Sequence, residues 1–114
     1  MKVNHLHLMV PDVTSASAFF EKYFELRKQG GNAGLTVLLD DDGFVLTLMK
    51  MGSRTSKTYP ESFHVGFFVA EDSRVDQIHA RMREDGLVVT APVREHAYSF
   101  YVSAPGGFLV EVGA

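Results

Sequence analysis

Two histidines and a glutamate, far apart along the chain, hold most of the chemistry this sequence can offer. His5 and His64 each stand near the start of a short apolar stretch, and Glu111 lies inside a third. Residues 3–10 (VNHLHLMV) alternate, so Val3, His5, His7 and Met9 share one face of a strand and Leu6, Leu8 and Val10 the other. Residues 62–70 (SFHVGFFVA) do the same, with Phe63, Val65, Phe67 and Val69 opposed to Ser62, His64, Gly66 and Phe68. Near the end, Phe108, Val110 and Val112 take one face and Leu109 and Glu111 the other. With helices on the apolar faces, His5, His7, His64 and Glu111 turn toward one concavity. Two imidazoles and a carboxylate make a ligand set that leaves positions free for substrate on Zn, Ni, Mn or Fe(II). The chain has no cysteine, so thiolate ligands and nucleophiles are excluded. His7, roughly 6–7 Å along the strand from His5, can contact an ion-bound substrate or act as a base near neutral pH.

The elements that must position these groups repeat. Pro11-Asp12 ends the first strand, and Asp12 or Thr14 can cap a helix whose Ala16, Phe19, Phe20, Tyr23 and Phe24 form an apolar stripe. Gly30-Gly31-Asn32 breaks the chain. Residues 35–39 and 44–49 flank Asp40-Asp41-Asp42-Gly43 as a hairpin, whose acidic tip lacks calcium-loop spacing. Polar residues 51–60 are the expected linker. In the second half Asp72 or Ser73 can open a helix bearing Val75, Ile78 and Met82, with Gly86 after it. Residues 87–93, 98–103 and 107–112 are expected strands. HLHLMVPD (5–12) parallels HVGFFVAE (64–71), and GFVLTL (43–48) parallels GFLVEV (107–112). The expectation is an α+β fold of two tandem βαβββ modules, about 1–50 and 61–114, forming one domain. That domain is a half-open mixed β-barrel with its helices outside.

Composition narrows the partners. The formal charge is −3 and the basic residues are scattered, which argues against nucleic acid. No apolar run approaches the ~20 residues of a membrane span. The N-terminus enters a strand pattern without a signal-peptide core, so the cytoplasm is expected. Arg94 and His96 fall in a polar stretch read as a solvated loop, with anion binding as the alternative, and His79 is placed on the exposed side of the second helix.

The chain resembles the vicinal oxygen chelate superfamily of glyoxalases, bleomycin- and fosfomycin-resistance proteins and extradiol dioxygenases. The resemblance spans the chain and rests on H-L-x-L-x-V-x-D (5–12), Phe19-Phe20, H-V-x-F-x-V (64–69), S-F-Y-V (99–102) and P-G-G-F-L-V-E-V (105–112). It implies that His5, His64 and Glu111 are metal ligands. Thr47 stands where several members place a fourth ligand, so proton shuttling of the glyoxalase I kind is not expected. Ala104 replaces the aspartate of the family's usual Asp-Pro-x-Gly turn. By the same resemblance Ser99 and Tyr101 line the substrate pocket; Thr47 is a further substrate-binding candidate, and Tyr101 joins His7 as a catalytic candidate. The implied function is a divalent-metal enzyme acting on a small oxygen-chelating substrate, with the metal as Lewis acid. The alternative is a non-catalytic drug-binding protein of the bleomycin-resistance type. Short relatives pair as homodimers, first module against second, although pairing within one chain is the other arrangement open.

Overall fold

Leucine and valine at alternate strand positions give each half of the chain one sheet face that must be covered, and in each half a helix covers it. The computed structural model describes residues 1–52 and 58–114; residues 53–57 of the expected linker lie outside the described residues. Its elements run β1 (His5–Val10), α1 (Val13–Phe24), β2 (Arg27–Gly31), β3 (Leu35–Leu39), β4 (Val45–Lys50), β5 (His64–Phe68), α2 (Asp72–Glu84), β6 (Val93–Arg94), β7 (Tyr98–Ala104) and β8 (Phe108–Gly113). These form two four-stranded mixed sheets, ordered β1-β4-β3-β2 and β5-β8-β7-β6. Both orders place the two parallel strands side by side at one edge. The duplication read from the sequence is therefore present strand for strand. The chain divides into two compact units, Met1–Thr58 and Tyr59–Ala114.

In the first unit Leu8, Val10, Leu38, Leu46 and Leu48 meet Val13, Ala16, Phe19, Phe20 and Tyr23 of α1, all buried. Phe19 and Phe20 meet edge to face at 5.1 Å, an arrangement their ring quadrupoles favour. Asp12 caps α1: its carboxylate accepts from the Ser15 backbone N–H at 3.2 Å and from the Ser15 hydroxyl at 2.8 Å. These bonds hold the Asp12 carboxyl below its ordinary 3.8. In the second unit Val75, Ile78 and Met82 of α2 pack with Phe100, Val102, Phe108, Val110 and Val112. α2 begins at Asp72, but its N-cap is Glu71, which makes no side-chain cap bond.

Three expectations need correction. Gly30-Gly31-Asn32 does not break the chain: residues 30 and 31 belong to β2, which pairs with β3 across an irregularity between Lys28 and Gly30. Gly31 lies at φ 112°, and a Cβ there would sit 2.1 Å from the Leu35 carbonyl oxygen, so only glycine fits. Residues 87–93 do not make a full strand. Val89 forms an isolated bridge to Val102, and the short β6 begins only at Val93, after Pro92. His79 is not simply solvated: its Nε2 lies 3.0 Å from the Thr90 carbonyl oxygen and its ring sits edge-on to Phe100 at 4.9 Å.

Candidate metal centre

Strand register in the second unit sets the geometry. Glu111 of β8 lies opposite Gly66 of β5 on one side and Tyr101 of β7 on the other. His64 pairs with Leu109, which places it one step along from Glu111 on the same sheet face. Glu111 is only 5% exposed, although a carboxylate is rarely buried without partners, and its Oε1 is buried with no hydrogen-bond partner. Two imidazoles approach it. His64 Nε2 lies 3.7 Å from Oε2 and His96 Nε2 lies 3.6 Å from Oε1.

The other nitrogen of His64 is spoken for: Nδ1 lies 3.0 Å from the Ser62 carbonyl oxygen, which can only accept, so Nδ1 carries the proton and donates. The neutral ring then presents a bare Nε2 lone pair beside a carboxylate oxygen. Two lone pairs in that position repel unless a cation, a proton or a metal ion, lies between them. The Tyr101 ring is edge-on to His64 at 5.5 Å. Burial, then the charge of Glu111 and a hydrogen bond to it, push the Tyr101 phenol above its ordinary 10.0, so it remains a proton donor at neutral pH. Ser99 is buried on the same face of β7. At Gly66 even a methyl group would lie 3.8 Å from Glu111 Oε2, so a longer side chain would cover the carboxylate.

In the first unit His5 and His7 sit on the exposed face of β1, as alternation requires. His5 Nδ1 lies 2.7 Å from the Asn4 side-chain oxygen, which leaves Nε2 as the free nitrogen. Thr47, opposite His7, donates weakly to the Leu6 carbonyl at 3.4 Å and takes the His7 Nδ1 at 2.6 Å. Of the residues singled out from the sequence, His64, Glu111 and Tyr101 thus come together in one unit, and His7 with Thr47 in the other. Among the described residues no group of three or more His, Cys, Asp or Glu gathers tightly enough to hold an ion. His96 was not expected at the site. Only the fold of its loop brings it there, and no spacing in the sequence marks it.

The chain as a whole belongs to a known class. Residues 2–112 match the family model for the Glyoxalase/Bleomycin resistance protein/Dioxygenase superfamily, and the chain is a member of that superfamily. The structure of a possible glyoxalase from Bacillus cereus is 47% identical, with a TM-score of 0.91, over 100% of this chain and 99% of that one. A fosfomycin resistance protein, FosX, from Listeria monocytogenes, solved with Mn(II) and sulfate, shares the fold at 21% identity. Its TM-score is 0.79, over 99% of this chain and 89% of that one. An uncharacterized protein of Pseudomonas aeruginosa is 27% identical over 84% of this chain and 73% of its own length. No helix among the described residues is long and apolar enough to cross a membrane.

Proposed function

We propose that this protein is a divalent-metal-dependent enzyme that acts on a small substrate through chelating oxygens, with His5, His64 and Glu111 as the metal ligands. The observation that carries the proposal is the His64–Glu111 pair. A buried carboxylate turns its Oε2 toward an imidazole whose Nδ1 is tied to a carbonyl, and that is the donor chemistry a Zn, Ni, Mn or Fe(II) ion satisfies. Their 3.7 Å separation is close to the roughly 3.3 Å between two ligands of one tetrahedral ion. His5 offers the matching free Nε2 from the first unit. The ion would act as a Lewis acid on a developing oxyanion.

The chain's own residues do the rest. Tyr101, kept protonated, turns its hydrogen bond from Glu111 to a substrate oxygen beside it. Ser99 and Thr47 bind substrate. His7, steadied by Thr47, moves a proton. The two units act as one domain, and two copies of the chain pair as a homodimer, so that His5 of one chain completes the site built on His64 and Glu111 of the other.

Elemental analysis of protein purified without chelator tests this reading. About one divalent ion per chain is expected. His64→Ala should lower metal affinity at least about tenfold while leaving the fold intact. Stoichiometric metal retained by that variant would overturn the ligand assignment. A metal-free wild type that ignores divalent ions but binds flat aromatic compounds would favour the drug-binding alternative.

A further inference from the structure

We propose that His96 is a positioning residue of the metal site: it holds the Oε1 oxygen of Glu111 so that Oε2 stays turned toward His64. The inference rests on the metal-site reading above and extends it to a residue that the ligand set does not include.

Three observations lead to it. The first is the orphaned oxygen. Glu111 Oε1 is buried and makes no hydrogen bond, a costly state for a carboxylate oxygen, and the His96 Nε2 stands 3.6 Å from it. That is just beyond hydrogen-bonding range, and a closure of a few tenths of an ångström would make the bond. Such contacts are often long before a site is filled.

The second is the division of labour around the carboxylate. His96 approaches one oxygen and His64 the other. A ligand carboxylate whose far oxygen is fixed by a donor cannot rotate away from the ion, and outer partners of this kind set ligand orientation and affinity.

The third is the loop. Residues 95–97 join β6 to β7, and both ends are pinned to α2. Arg94 pairs with Asp72, and the Tyr98 hydroxyl donates to Asp76 at 2.6 Å, one helical turn further on. The Arg94 guanidinium also lies over the Tyr98 ring at 5.3 Å. Within the loop the Glu95 N–H donates to the Ala97 carbonyl at 3.1 Å. A side chain that is 70% exposed would ordinarily roam in solvent; here its backbone is braced so that the ring reaches a buried acceptor.

The test measures Co(II) affinity of the full-length protein by competition with a chromophoric chelator, together with the visible Co(II) spectrum. The proteins compared are wild type, His96→Ala and His96→Gln. His96→Ala should bind Co(II) about ten- to a hundredfold more weakly. His96→Gln, whose amide N–H can still donate to Oε1, should recover affinity to within about threefold of wild type and restore the spectrum. Asp72→Ala, which frees one end of the loop, should weaken binding less than His96→Ala does. Wild-type affinity in His96→Ala overturns the inference and leaves the ligand assignment standing. Equal weakness in His96→Gln and His96→Ala also overturns it, because the imidazole would then be acting as more than a donor to Oε1. A wild-type protein that takes up no Co(II) overturns both readings together.

Discussion

The two units carry the same parallel strand pair in the same register and use it differently. His7 faces Thr47 in the first unit, and Gly66 faces Glu111 at the matching place in the second. In the first, a bulky imidazole closes over a neutral hydroxyl and bonds to it at 2.6 Å. In the second, the missing side chain leaves space beside Oε2 of a buried carboxylate, whose other oxygen is unsatisfied. The histidines that open the strands, His5 and His64, are treated alike: each has its Nδ1 held by an oxygen, one from a side chain and one from the backbone. Both units thus supply an imidazole at the start of the strand pair, while only the second supplies a charge. A shared scaffold tolerates this because strand pairing depends on backbone bonds and the covered face, not on the residues of the open face.

The sharpest way to break this comparison is to make the units alike. Glu111→Thr gives the second unit the residue of the first, and metal affinity should fall by about a hundredfold or more. Chelator competition reads this directly, and near-wild-type affinity would remove Glu111 from the ligand set. A subtler experiment asks whether units from different chains complete each other. His5→Ala and His64→Ala homodimers, each defective, are mixed, unfolded and refolded together. If the site is shared across the dimer, roughly a quarter of wild-type sites should return, because half of the random dimers are mixed and each holds one intact site. No recovery would place all three ligands within a chain.

The smallest contrast lies in the helix caps. Asp12→Ala should lower Tm by a few degrees, whereas Glu71→Ala, which removes no cap bond, should change it little. The Asp12 carboxyl is held below its ordinary 3.8 by its bonds to Ser15. Its contribution is therefore complete above that value and disappears as pH falls through the lowered one. The Tm difference between wild type and Asp12→Ala should shrink in strong acid, and a difference that grew there would contradict the cap assignment.

The elements with a buried face were legible in the sequence, because burial writes periodicity. The stripe of α1, the alternation of β1 and the open-face position of His5, His7 and Glu111 all follow from it. β2 was missed because Arg27-Lys28-Gln29-Gly30-Gly31 is exposed at every position, so no face needs apolar residues; pairing to β3 makes it a strand. Residues 87–93 misled in the opposite sense. Their Val-rich run suits a strand, and Thr90 and Val88 do exchange backbone bonds with β7, yet a full ladder does not form. At the site, Glu111 could be assigned a face but not its burial or its unpartnered oxygen. His96 was out of reach because a loop residue's direction depends on its anchors, here Arg94–Asp72 and Tyr98–Asp76, which bridge 22 positions of sequence.

The exposed polar strand β2 has a consequence for life in a crowded solution. An outermost strand presents unpaired amide and carbonyl groups to any passing polypeptide that can lie flat against it. This one bears two adjacent cationic side chains, two consecutive glycines and a kinked register, with no greasy residue to reward a newcomer. That edge of the first sheet is thus fenced against runaway stacking into fibres by the very segment that contributes least to its core.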